Sequence, residues 1–192
     1  MTRADEFRFR GGRLSLDFTA TLAGRLRNQL EQLAEPADLG LWLFVAGVLD
    51  GTPEVRASEL VAARQLREAI YRLVCPSDTG SAMVEADVAT LNGWAARPGV
   101  HLQLSGDARS AARIAACPVE AGLSALAADT IDLLSGPQLQ YVRRCTRSDC
   151  SVLFIDTSRA QQRRWCDMAR CGNRAKASRH RSRQKEGELS TR

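Results

Sequence analysis

Apolar and polar residues alternate along Phe7-Arg8-Phe9-Arg10 and again along Leu14-Ser15-Leu16, with Gly11-Gly12 between the two runs. Period-two alternation around a pair of glycines predicts a β-hairpin that pairs Phe9 with Leu14 and Phe7 with Leu16. Beyond it the period lengthens. Pro36 to about Gly47 reads as a short helix with proline in its first turn. Leu60, Leu66, Ile70 and Leu73 recur at helical spacing inside a longer helix over Pro53 to Leu73. Pro76, Ser77, Asp78 and Gly80 form a turn, and another helix follows from about Ala82 to Ala95. His101 to Ser105, Gly106-Asp107 and Ala112 to Ala116 suggest a second hairpin. Leu123, Leu126, Ile131 and Leu134 mark a last helix of the body, stopped by Gly136-Pro137. Val152 to Asp156 reads as a strand, whose expected partner holds Arg163-Arg164-Trp165. The pattern therefore predicts an α+β protein, mainly helical with β-hairpins over residues 1–138, followed by a small unit over residues 139–192.

Composition adds little to this and charge adds much. Hydrophobic residues make up 44% and charged residues 26%, an ordinary globular balance. The longest apolar run, Leu39 to Leu49, is too short for the roughly 20 residues that span a bilayer. Asp5, Glu6 and several arginines interrupt the start, which argues against a signal sequence and predicts a cytoplasmic protein with no membrane partner. The net charge of +5 is unevenly spread. Residues 143–185 carry 13 Arg and Lys against three Asp, whereas residues 1–142 carry 13 Arg against 17 Asp and Glu. A localised positive field attracts polyanions, nucleic acid first among them; a solvated tail that aids solubility is the bland alternative.

Cysteine spacing supplies the candidate chemistry. Cys145 and Cys150 enclose four residues, as do Cys166 and Cys171. Two such loops present four thiolates to one centre, a donor set that suits one structural zinc ion and leaves no open position for an activated water. Disulfides would need an oxidising compartment, and redox pairs usually read Cys-x-x-Cys. Cys75 and Cys117 read as small core residues. The unit around the four cysteines has few apolar residues, so a metal also answers its need for stability. Knuckle, hairpin and a basic helix beginning at Cys171 give the order of a treble-clef-like finger.

The stretch from Cys145 to Arg183 resembles the CGNR zinc finger, through Cys171-Gly172-Asn173-Arg174 together with Leu153-Phe154-Ile155-Asp156, Arg163-Arg164-Trp165-Cys166 and Ala175-Lys176. Upstream, Gly11-Gly12, Leu16-Asp17-Phe18, Leu39 with Trp42-Leu43, and Leu66-Arg67-Glu68-Ala69 resemble the ABATE domain that precedes this finger in bacterial proteins. The resemblance implies a stress-related transcription regulator, with an α+β ligand-sensing domain and a DNA-binding finger. In many proteins of the family it resembles, Leu-Asp-Phe continues with Val-Asn-Thr, where this chain has Thr19-Ala20-Thr21.

DNA is thus the expected partner, with RNA as the main variant. Candidate contacts are Arg163, Arg164, Asn173, Arg174, Lys176, Arg179, His180, Arg181 and Arg183. Asn173 has a structural alternative, fixing a turn or capping the helix. Asp156 is expected to pair with an arginine and hold the hairpin. Trp42 and Arg67 are the candidate contacts for a small-molecule effector, against the plainer readings of core packing and a surface charge. A zinc module that binds another protein is the second class of function. Catalysis fits poorly: only His101 and His180 are present, no Gly-x-Ser-x-Gly elbow occurs, and Glu85/Asp87 and Asp129/Asp132 read as solvated helix faces.

Overall fold

The structure, a computed structural model, describes residues 3–25, 27–75, 85–147 and 149–178. A 3-10 turn, Arg3–Glu6, precedes α1 (Leu14–Thr19), β1 (Leu22–Ala23), β2 (Leu30–Glu31), α2 (Pro36–Val45) and α3 (Ala57–Val74). Then come α4 (Glu85–Ala95), β3 (His101–Leu104), β4 (Ala111–Ile114) and α5 (Pro118–Ser135). A second 3-10 turn, Pro137–Tyr141, leads into β5 (Val142–Arg144) and β6 (Leu153–Ile155). A π-helical turn, Met168–Gly172, continues as α-helix over 173–178. The strands pair antiparallel as β1–β2, β3–β4 and β5–β6, so the fold is α+β and mainly helical. No described helix is long and apolar enough to cross a membrane.

The helical spacing read from the sequence holds. Asp38 accepts the Glu35 N–H at 2.8 Å and Glu59 accepts the Arg56 N–H at 2.7 Å, which fixes where α2 and α3 start. Leu60, Leu66, Ile70 and Val74 of α3 are buried against Leu123, Leu126 and Leu133 of α5, with Trp42 and Leu43 of α2 in the same core. The hairpin predicted over 101–116 is present, paired from His101 with Ile114 to Leu104 with Ala111. The turn expected at Pro76 to Gly80 and the start of the next helix lie outside the described residues.

The predicted hairpin at Phe7 to Leu16 is absent, and its second arm is helix α1 instead. Asp17 decides this. Its carboxylate accepts the N–H groups of Arg10 at 2.5 Å and Gly11 at 2.6 Å, folding the incoming chain over the helix's first turn. A Cβ on Gly11 would lie 2.5 Å from Leu16 Cβ, and Gly12 has φ +78°, so both glycines serve a sharp entry into α1 rather than a two-strand turn. Ser15 to Thr19 are all buried, so alternation here reported burial on every side. Burial, partly opposed by the two N–H donors, raises the Asp17 carboxyl from 3.8 to about 6.

Several charges taken as solvated are structural. Arg67, only 2% exposed, spans Glu31, Glu68 and Thr21, which overturns its reading as a surface charge. Asp87 is buried and grips Arg72 through two bonds of 2.6 and 2.8 Å. Asp129 accepts Arg13 at 3.0 Å and the Ser15 N–H at 2.8 Å, and Asp132 accepts Arg13 at 2.7 Å. These carboxylates pin α1 and α4 to the helices beside them. Cys75 packs half-buried at the core edge, but Cys117 is exposed at the start of α5, where no core surrounds it.

Strand β6 joins the two parts of the molecule. Its side chains alternate, and both faces are buried: Leu153 and Ile155 enter the main core with Val142, while Phe154 packs among the cysteines. The Ile155 N–H donates to Gly11 O at 2.8 Å, and the Arg25 N–H donates to Ser151 Oγ at 3.2 Å. Arg10 of the body pairs with Asp167 of the finger.

Candidate metal centre and basic groove

Strands β5 and β6 form a hairpin whose tip is the Cys145–Cys150 loop. The Cys145 N–H donates to Val152 O at 3.0 Å, closing the loop's base, and the Cys150 N–H donates to Arg147 O at 3.0 Å within it. The partner of β6 is therefore β5, not the Arg163 to Trp165 segment expected from the sequence. That segment is held from the other side instead: Arg164 O accepts the Thr146 N–H at 2.9 Å and its hydroxyl at 3.1 Å. Asp156 braces the intervening loop by accepting the Arg163 N–H at 2.8 Å and the Ser158 hydroxyl at 2.6 Å, so its partners are backbone and hydroxyl rather than a guanidinium.

The second cysteine pair straddles a helix start. Asp167 caps it, accepting Ala169 N–H at 2.7 Å, which assigns the cap to Asp167 and not to Asn173. The helix begins at Met168, three residues before the expected start at Cys171. Both the Cys171 and Gly172 N–H groups donate to Asp167 O, at 2.9 and 3.1 Å, and this widened π turn swings Cys171 back toward Cys166.

The four sulfurs of Cys145, Cys150, Cys166 and Cys171 lie within 4.8 Å of one another. Cys150 Sγ is 3.7 Å from Cys166 Sγ, which is 3.6 Å from Cys171 Sγ. A tetrahedral zinc ion about 2.3 Å from each thiolate sets its sulfurs about 3.8 Å apart. Donor set and spacing both fit one structural zinc ion, held in a treble-clef-like finger whose four ligand positions are all protein sulfur. Thiols this close cannot all ionise without a cation. Hydrogen bonds from Cys150 and Cys166 hold the Cys145 thiol well below its ordinary value, while Cys145 as partner pushes Cys150 and Cys166 up. A zinc ion held by these four cysteines would supply the positive charge that lets the whole set ionise, and would so tie the knuckle to the helix.

Arginines surround this centre in two arrangements. Arg163 is turned inward: its Nε donates to Trp165 O at 2.8 Å, another nitrogen reaches Cys166 O, and its guanidinium lies 4.6 Å from the Phe154 ring centre. Burial opposes the Arg147 charge, but Asp149 and then the Cys171 sulfur outweigh it and keep the pKa raised. Arg164 points outward, 5.5 Å over the Trp165 ring. Arg164, Trp165, Arg147 and Arg174 line a groove of about 700 Å³, and Arg27 from the loop between β1 and β2 completes it; Asp149 also lies on its wall. Asn173 and Lys176 are exposed on the same helix. Arg179, His180, Arg181 and Arg183 lie outside the described residues.

The sequence did not single out Arg27, Arg147 or Trp165 for this groove. Arg27 lies some 120 residues from the finger in a loop without local pattern, and only tertiary contact brings it there. Trp42 is buried between Phe18, at 5.0 Å, and Phe9, at 6.0 Å, and Arg67 spends its donors on Glu31, Glu68 and Thr21. Ala20 lies on the wall of a pocket at the seam between body and finger.

Residues 141–184 match the family model for the CGNR zinc finger. A search of curated proteins finds no match. Residues 12–137 match the family model named ABATE, described as "Putative stress-induced transcription regulator". With that match spanning well over half of its length, the chain belongs to the ABATE family and carries a CGNR zinc finger after the ABATE domain.

Proposed function

We propose that the chain is a DNA-binding transcription regulator, in which residues 139–192 contact nucleic acid and residues 1–138 sense a small effector. The observation that carries this reading is the groove beside the metal centre. Arg27, Arg147, Arg164 and Arg174 reach it from separate segments, with Trp165 among them. Cations at fixed spacing match phosphates, and an aromatic ring beside them suits a sugar or an unstacked base. Lys176 lies on the same helix, and Arg179, His180, Arg181 and Arg183 follow it in sequence, extending the positive run. The metal plays no chemical part at this surface; it holds the knuckle and the helix at the distance the arginines need. Arg163 serves as a brace, since two of its guanidinium nitrogens donate to the finger's own carbonyls.

A salt titration of duplex DNA binding by the zinc-loaded chain tests this. Neutralising six phosphates gives a slope of log K on log salt of about −5, and Arg174→Gln should reduce that slope by about one. A slope near zero would exclude a phosphate-reading surface. Binding that survives nuclease treatment in pull-downs, with no salt-dependent DNA affinity, would point to a protein partner instead. Stronger binding to a single-stranded RNA than to duplex DNA would move the reading to RNA.

A further inference from the structure

A second pocket, of about 480 Å³, opens at the seam where the finger meets the body. Its volume falls in the range of small-molecule sites, and domain interfaces are where such sites commonly form. Ala20, Ala23 and Leu30 from the body and Val152 from the finger give it apolar walls. Leu30 is 62% exposed, a large apolar side chain left in the open beside the pocket. Arg8, Arg170 and Arg174 give it positive charge. Its carboxylates are already engaged, Glu6 by Arg3 and Asp149 by Arg147. None of Arg8, Arg170 and Arg174 has an ion-pair partner among the described residues, and Arg8 and Arg170 are half-buried. A guanidinium drawn partly out of water beside apolar walls gains most from an anion that brings its own apolar surface.

We propose that this seam pocket binds a small organic anion, an apolar body bearing a carboxylate or phosphate group, and that the bound anion opposes nucleic-acid binding. The second half rests on the nucleic-acid reading above. Arg174 lines both the seam pocket and the basic groove, as does Arg147. An anion that holds the Arg174 guanidinium in the seam removes a phosphate contact from the groove. Coupling between the two ligands is reciprocal, so each weakens the other by the same factor. The pocket walls also include Cys150, Cys166 and Cys171, so the bound anion rests against the metal-holding loops themselves.

The test is calorimetric titration of the zinc-loaded full chain with 1-naphthoate, and with the neutral 1-naphthamide as control. Saturable binding of naphthoate at one site, with naphthamide at least tenfold weaker, is expected from charge-assisted hydrogen bonding. Arg8→Gln and Arg170→Gln should each weaken naphthoate about tenfold or more, with zinc content and circular dichroism unchanged. Leu30→Glu, at a largely exposed position, places a carboxylate beside the pocket and should have the same effect. Equal binding of acid and amide, or full affinity in all three variants, would overturn the site. Saturating naphthoate should then weaken duplex binding, and Arg174→Gln should abolish that coupling. Unchanged duplex affinity with naphthoate bound would overturn the antagonism. A chain that binds naphthoate as described but no duplex at any salt would sink the nucleic-acid reading while upholding the site.

Discussion

Arg67→Met is the sharpest probe of how the body is held together. The Arg67 guanidinium donates to Glu31 Oε1 at 2.6 Å, to Glu31 Oε2 at 2.7 Å, to Glu68 Oε1 at 2.9 Å and to Thr21 Oγ1 at 3.1 Å. Removing one partner of a buried pair typically costs about 3–5 kcal/mol, because the other charge stays behind. Three details lower that figure. Glu68 keeps Arg25, Glu31 keeps Arg64 at 3.7 Å, and the Glu31 side chain is 27% exposed. A loss of about 2–4 kcal/mol follows for the single variant. Changing both partners to apolar residues, Arg67→Met with Glu31→Leu, removes the stranded charge and should recover most of the loss.

Urea unfolding of the zinc-loaded chain measures both variants, and an unchanged slope with a shifted midpoint identifies a pure stability effect. The pair also leaves a signature in pH. Burial pushes the Glu31 carboxyl up, but Arg67, together with the Leu33 N–H and Arg64, more than reverses this and leaves it below its ordinary value. A carboxyl lowered in the fold contributes stability that is complete above its unfolded pKa and lost as pH falls through the folded one. Arg67→Met should therefore lose stability most at neutral pH and converge on the parent in acid. A single variant within about 0.5 kcal/mol of the parent at neutral pH would refute the reasoning, since that is the range of an ordinary surface substitution. Such a result would also free Arg67 for the effector contact the sequence suggested.

Two further outcomes test the joints of the fold. Cys166→Ser, or removal of zinc by a chelator, should unfold the finger and lower the melting temperature of the body in the same transition. Val142, Leu153 and Ile155 belong to the main core, and each fully buried aliphatic side chain is worth about 1.5–3 kcal/mol; calorimetry showing a body transition unmoved by zinc loss would separate the two units. Asp17→Asn keeps an oxygen for the Arg10 and Gly11 N–H groups but cannot ionise. The raised Asp17 carboxyl makes the parent lose stability as pH rises from about 3.8 to about 6, so the stability difference between variant and parent should shift in the variant's favour across that window. A difference independent of pH would mean that Asp17 titrates like a solvated carboxylate.

The sequence by itself determined the elements whose signal is local. Helical spacing of leucines gave α3 and α5, proline in the first turn gave the start of α2, and the 101–114 hairpin followed from its turn. Spacing and softness of the four thiols gave the metal centre, because ligand chemistry is written in residue type and loop length. Only the tertiary structure decided that Leu14–Thr19 is a helix, since the choice turned on Asp17 reaching back to two N–H groups and on burial from every side. It alone paired β6 with β5, buried both faces of that strand, and made one molecule of the body and the finger. It alone brought Arg27 to Arg174, and set Arg8 and Arg170 around apolar walls at the seam. Periodicity along a chain reports which residues avoid water, whereas a groove or a buried ion pair depends on which distant segments come together. That information resides in packing, and no local pattern carries it.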